Sequence, residues 1–190
     1  DGTKNSWYAD SKDRTILIET HIIREIIPWI DTNYNTKPSR GFRVIQGFSM
    51  GGYGASLLAV KFPELFSVCI NYDGGMWNWE DMTSKSRKWQ PVAPVLFDND
   101  KIYYESNSSP WKFANLNKDK IKGQLQFRTL VGSLGLRLQK WRNHLTSLEI
   151  EMDYVDTECK HDLKCLHEKA GDGSFRLMGE QFAKALTSEA

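Results

Sequence analysis

The chain has 190 residues, enough for one domain with a sizeable core, and 40% of them are hydrophobic against 26% charged. Its 25 lysines and arginines nearly balance 24 aspartates and glutamates, which argues against disorder and against nucleic acid as a partner. No apolar run approaches the ~20 residues a membrane span needs, and the opening DGTKNSWYADSKD is polar rather than a signal sequence, so no membrane association is expected.

In chain order, RTILIETHIIREIIPWID at 14–31 predicts an amphipathic helix. Ile18, Ile22, Ile23, Ile26, Ile27 and Ile30 lie on one stripe, and Pro28 loosens the last turn. After a turn-like NYNTKPSRG, the run FRVIQ predicts a short strand ending at Gly47, and YGASLLAVKFPELF predicts a helix that stops near Pro63. Further strands are expected at 66–72 (FSVCINY), 124–131 (QLQFRTLV) and 148–155 (LEIEMDYV), with helices at 137–148 and 174–186. Strands alternating with helices predict an α/β fold with a mainly parallel sheet. Between Asp73 and Lys122 lies a long, irregular, aromatic-rich excursion carrying Trp77, Trp79, Trp89, Tyr103, Tyr104 and Trp111. Such insertions often cover a site, so a cap-like segment at about 73–122 is expected on a single domain spanning 1–190.

The stretch GFSMGGYGA at 47–55 places one serine on a predicted strand-to-helix turn. A sharp, strained turn of this kind lifts a serine hydroxyl above the sheet, where a histidine can take its proton. Gly47 and Gly51 flank Ser49 at two residues on either side, where side chains would collide as strand folds against helix. The same turn aims the Met50 amide at the position where a carbonyl oxygen becomes an oxyanion, with the helix N-terminus adding favourable partial charge. The bare pattern also arises by chance in glycine-rich turns; its placement between a strand and a helix is what favours the nucleophile reading.

NSWYADS, the helix ending REIIPWIDTNYNT, the elbow GFSMGGYGA and the following FPELFSVCINYDGG resemble the putative-esterase group of the α/β-hydrolases. That group includes esterase D-like S-formylglutathione hydrolases, tributyrin esterases, feruloyl esterases and mycolyltransferases of the antigen 85 type. The resemblance runs over most of the chain, is loosest in the aromatic excursion, and implies acyl transfer, usually to water.

In that fold the base follows the last strand, and LEIEMDYV leads directly to DTECKHDLKCLHEK. His161, in the turn just past the strand, is the expected general base, with His167 as the nearby competitor. His21 and His144 lie in amphipathic helices and read as structural or exposed. Cys159, His161, Cys165 and His167 also allow a zinc reading, but one intervening residue makes a strained chelate, so no metal is expected. A disulfide between Cys159 and Cys165 and a pair of buried free thiols both remain open. The three cysteines and the sequon Asn107-Ser108-Ser109 leave the compartment undetermined.

The acid is the departure. Where the family pattern resembles VGxxD this chain has Gly135, and no carboxylate occurs from Gly132 to Leu148. An acid from another strand end, a Ser-His dyad and an inactive relative are the three alternatives. Asp73, after FSVCINY, is the best substitute, although an aspartate before Gly74-Gly75 also suits a turn cap. Asp98, Asp100 and Asp156 follow it. A second departure is that only one clear strand precedes Ser49, whereas the resemblance implies several. The chain is therefore expected to be a fragment, a processed product, or the partner of a segment that completes the sheet and supplies the second oxyanion donor. The expected activity is hydrolysis of a small or aryl acyl ester (feruloyl, acetyl or S-formylglutathione-like) by an acyl-enzyme route. Trp77 and Trp111 are candidate pocket residues, and no metal or organic cofactor is called for. A hydrolase-like binding module is the alternative.

Overall fold

A computed structural model describes residues 6–84 and 92–189 of the chain. Four strands, β1 (Val44–Phe48), β2 (Val68–Tyr72), β3 (Gln126–Val131) and β4 (Met152–Asp156), form one sheet in the order β1-β2-β3-β4. All three neighbouring pairs are parallel. Each parallel pair needs a crossover that returns the chain to the same end of the sheet. The first is α3 (Met50–Lys61) and the third is α9 (Gly135–Ser147). The second runs through α4 (Trp79–Thr83), α5 (Val92–Phe97), α6 (Lys101–Asn107), α7 (Pro110–Leu116) and α8 (Lys118–Ile121). After β4 come α10 (Leu163–Ala170) and α11 (Gly173–Glu189). This is the α/β architecture that the alternation predicts.

Strand periodicity divides the core in two. Ile45, Cys69, Phe127, Val131 and Met152 face a large cluster shared with α3 and the helices of the second and third crossovers. Val44, Ile70, Tyr72, Leu130 and Val155 face a smaller cluster with Leu166 of α10 and Leu177 of α11. Every residue of β2 is buried, as its continuous apolar run requires.

Several predicted bounds shift. β1 begins two residues later than FRVIQ, because Arg40–Phe42 forms a 3-10 turn. The strand expected at 148–155 loses its first half: Ile150 N–H donates to Leu145 O and Glu149 has φ 59°, so Leu148 to Ile150 close α9. α10 precedes the predicted closing helix as a separate element. The first helix runs from α1 (Ile18–Thr20) through a π-helical stretch (His21–Ile26) into α2 (Ile27–Asn33). The wide turn sits directly before Pro28, whose ring and missing N–H disrupt the regular ladder. It shifts the phase of the isoleucine stripe, so Ile23 is buried while Ile26 and Ile30 remain exposed.

The described part of the excursion is largely helical. Its described residues fold into the five short helices of the second crossover, and Val92, Ala93, Leu96, Phe97, Tyr104, Ala114 and Ile121 join the main core. Trp89 lies outside the described residues. Among the described residues no helix is long and apolar enough to cross a membrane.

β1 is an edge strand. Arg43 O accepts from Ser67 and Ser49 N–H donates to Tyr72 O, so the alternation turns the backbone groups of Val44, Gln46 and Phe48 away from β2. A cavity of about 250 Å³ opens beside this edge, with Ile22, Ile45, Gly47, Ala55 and Leu58 among its walls.

The approach of α3 to β1 is closest at Gly47, where an added Cβ would lie 2.3 Å from the backbone of Gly51. Gly179, inside α11, has open space around it. Gly47→Ala is expected to cost about 1–3 kcal/mol, and Gly179→Ala to gain about 0.5–1 kcal/mol. Urea denaturation of the two variants beside the parent checks both signs.

Candidate active site

Ser49 stands between β1 and α3 with φ 58° and ψ −122°, a conformation that non-glycine residues rarely adopt. Its N–H donates to Tyr72 O at 3.0 Å and its carbonyl accepts from Tyr53 N–H at 3.1 Å. Sheet and helix thus grip the residue from opposite sides. The neighbouring turn is braced by buried Asn71, whose Oδ1 accepts from Gly74 N–H at 2.6 Å and whose Nδ2 donates to Gly74 O and Ser56 Oγ, both at 3.0 Å.

His161 enters from the loop between β4 and α10. Its Nε2 lies 2.7 Å from Ser49 Oγ and its Nδ1 2.7 Å from Asp73 Oδ2. The ring stacks on Phe48, with centroids 4.6 Å apart. With a proton on Nδ1 donated to the carboxylate, Nε2 is left as an acceptor for the Ser49 hydroxyl. The structure therefore brings Ser49, His161 and Asp73 into one hydrogen-bonded chain.

Asp73 follows β2 directly, and its side chain is fully buried. Burying a carboxylate is costly unless donors surround it. The second oxygen, Oδ1, accepts from the amides of Gly132 at 2.9 Å and Leu134 at 3.1 Å. These amides belong to the loop after β3, the place where the family pattern resembles VGxxD and would carry the acid. That loop contributes donors to a carboxylate arriving from the neighbouring strand. Gly132 leaves room for it, since a Cβ there would lie 2.8 Å from Asp73 Oδ2 and 2.7 Å from Lys160 O. Neither these amides nor the Phe48 stack was foreseen, because both depend on which strands are neighbours.

Met50 opens α3, so its N–H belongs to the first turn, whose amides have no intrahelical acceptor. Trp77 is half-buried, with the Arg137 guanidinium 3.9 Å above its ring and Leu134 and Arg137 converging with it on Gly75. Trp111 requires a correction as a pocket candidate. It sits on α7 and packs against α9, its ring 5.1 Å from the rings of both Trp141 and His144, where it serves the helix interface.

The competing histidines are engaged elsewhere. His167 lies against Tyr72 at 4.7 Å, and His21 pairs with Glu25 at 2.7 Å. His144 is half-buried, with its pKa lowered by desolvation. Asp98 and Asp100 pair with Lys12, and Asp156 Oδ1 accepts from Glu158 N–H. Cys159 and Cys165 form a disulfide, so their sulfurs are not available as thiolate ligands. The free thiol, Cys69, is buried, and desolvation pushes its pKa up to about 12.

Residues 2–122 match the family described as "Putative esterase". The chain is 32% identical over 173 residues to Esterase Rv1288 of Mycobacterium tuberculosis (strain H37Rv), an alignment covering 72% of this chain and 38% of that relative. It therefore spans well under half the length of the curated relative it matches. Among solved structures it resembles a ferulic acid esterase, with a TM-score of 0.70, 18% identity, and coverage of 92% of this chain and 64% of the other. It also resembles the Staphylococcus aureus fluorophosphonate-binding serine hydrolase FphF, with a TM-score of 0.71, 16% identity, and coverage of 95% and 69%. A glycine-flanked serine on a strained strand-to-helix turn, a parallel α/β sheet and these similarities lead to one conclusion: the chain belongs to the Putative esterase family and has an α/β-hydrolase-like fold.

Proposed function

We propose that the protein is a serine carboxylic-ester hydrolase acting on small or aryl acyl esters. The observation that carries this reading is the chain Ser49–His161–Asp73, with both links at 2.7 Å. His161 Nε2 withdraws the Ser49 proton as the oxygen attacks the ester carbonyl, and Asp73 orients the ring and stabilises the imidazolium. The Met50 amide receives the oxyanion at the positive end of α3. His161 then protonates the departing alcohol, and water attacks the acyl-enzyme by the same base.

The alternative, a catalytically impaired binding module, drew its main support from a missing acid. Asp73 beside His161 weakens it. Trp77, at the loop that donates to Asp73, is the aromatic surface we assign to an aryl acyl group. The similarity to a ferulic acid esterase is compatible with that assignment.

We also propose that an extended segment, from further polypeptide or another chain, pairs with the outer edge of β1. The outward-turned groups of Val44, Gln46 and Phe48 supply its hydrogen bonds, and the cavity of about 250 Å³ accepts its apolar side chains. In this chain alone the amides of Val44, Gln46 and Phe48 should exchange hydrogen faster than those of Ile45 and Gly47. Where a longer polypeptide or a partner chain supplies that segment the difference should disappear, and persistence of fast exchange there would refute the pairing.

A fluorophosphonate probe should label the parent stoichiometrically at Ser49, and Ser49→Ala should abolish both labelling and hydrolysis of p-nitrophenyl acetate. Asp73→Asn is expected to lower kcat by about a thousand- to ten-thousand-fold, since it removes the anion that fixes the tautomer. Equal absence of labelling in parent and Ser49→Ala would favour the binding module. For Trp77→Ala, KM should rise for methyl ferulate by about tenfold, while KM for p-nitrophenyl acetate stays near the parent value. Equal changes for both esters would remove Trp77 from the acyl pocket.

A further inference from the structure

His161 is the member of the site with the least secondary structure behind it. Ser49 is gripped by sheet and helix, and Asp73 is buried beneath two amides, but Thr157 to Asp162 form a loop between β4 and α10. Its backbone anchors concentrate at its start, where Thr157 N–H and Oγ1 donate to Val131 O at 3.1 and 2.7 Å. Cys159 N–H donates to Thr157 Oγ1 at 3.3 Å. Past Cys159, Asp162 N–H donates to Lys160 O, and the Asp162 side chain caps α10 through Cys165 N–H. Those later bonds run within the loop or to the first turn of α10, and not to the sheet. The His161 side chain is 37% exposed.

The Cys159–Cys165 bond spans this stretch, closing a covalent ring across a sequence separation of 6 with His161 inside it. One end is fixed, because Cys159 is buried in the cluster of Val68, Ile70, Tyr72, Leu130 and Leu166. The other end is the first turn of α10. We propose that this disulfide is a positioning element for His161, and that its cleavage by a dithiol reversibly lowers turnover. The proposal rests on the hydrolase reading above. Removing a short-loop cross-link returns conformational freedom to the residues it encloses, and a displacement of about 1 Å in a catalytic group can cost about a hundredfold in rate. Leu166 keeps α10 docked, so the fold persists while the loop loosens.

The chemistry is a thiol–disulfide exchange. A thiolate of dithiothreitol attacks one sulfur and breaks the S–S bond, forming a mixed disulfide. Its second thiol then displaces the protein sulfur, so the reagent is oxidised to a cyclic disulfide and Cys159 and Cys165 each gain a proton.

The test uses the full chain, oxidised and then reduced and alkylated with iodoacetamide. Mass spectrometry should find Cys159 and Cys165 modified and Cys69 untouched, as its burial requires. Reduction should lower kcat for p-nitrophenyl acetate and the rate of fluorophosphonate labelling by about ten- to a hundredfold, with KM changed by less than about twofold. Reoxidation without alkylation should restore the rate. The double variant Cys159→Ser/Cys165→Ser should start at the low rate and be indifferent to dithiothreitol, with circular dichroism showing it folded at the assay temperature. A reduced protein that turns over at the oxidised rate overturns the proposal, as does a loss that tracks unfolding. If the oxidised protein neither labels nor hydrolyses, the hydrolase reading fails. Amide exchange of residues 158–162 then decides: faster exchange on reduction upholds the clamp, and unchanged exchange refutes it.

Discussion

A single buried carboxylate joins the carboxyl ends of all four strands. Asp73 extends from β2, takes two amides from the loop after β3, and holds the histidine delivered by β4. That histidine reaches the serine at the end of β1. Every link crosses from one strand to another, so the network exists only if the sheet order is β1-β2-β3-β4. The parallel arrangement makes this possible, because it brings all four strand ends, and therefore all four loops, to the same side. An antiparallel neighbour would carry its loop to the far side of the sheet.

The dependence on strand order explains what could be read from the sequence. Ser49 is legible as a candidate because its requirements are local: glycines on both sides, a strand before and a helix after. His161 needed only chain order, as the histidine in the turn past the last strand. Asp73 is reached from the sequence only as a substitute acid, because the loop after β3 lacks a carboxylate and nothing in GSLGL says that its amides face an acid from the adjacent strand. The spacing from Asp73 to His161, 88 residues, carries no information without the register. Trp111 was misplaced for a related reason: aromatic content marks apolar demand, and only packing shows whether that demand lies in a pocket or, as here, between α7 and α9.

The same distinction applies to the fold. Residues 66–72 read correctly as a buried strand because burial on both faces leaves a continuous apolar run. LEIEMDYV read as one strand because alternation continues across a helix end and a strand start; the break at Glu149, with φ 59°, has no glycine to announce it. The aromatic excursion was read as irregular because its helices are short and end often. Their apolar faces nonetheless complete the main core, and Tyr53 of α3 donates to Ser108 O within it.

Two kinds of rigidity meet at the site. Ser49 and Asp73 both have positive φ, at 58° and 46°, and each is held there by backbone bonds to the sheet, Ser49 to Tyr72 and Asp73 to Leu130. Strain of this kind persists only where the surroundings over-determine it, which is what a strand end supplies. His161 has no such support from regular structure, and the proposed base role requires the ring to face two partners at once. Its constraints are therefore of another type: a ring stacked on Phe48, a neighbouring Cys159 sunk into the lower core, and a covalent link to the first turn of α10. In the proposed mechanism, a histidine between two fixed partners changes its hydrogen bonds as the proton moves, which requires that the loop beneath it cannot wander. The division follows from topology, since Ser49 and Asp73, the proposed nucleophile and acid, sit where the chain leaves β1 and β2 for the crossovers, while His161, the proposed base, lies past β4, after which the described residues add helices and no further strand of this sheet.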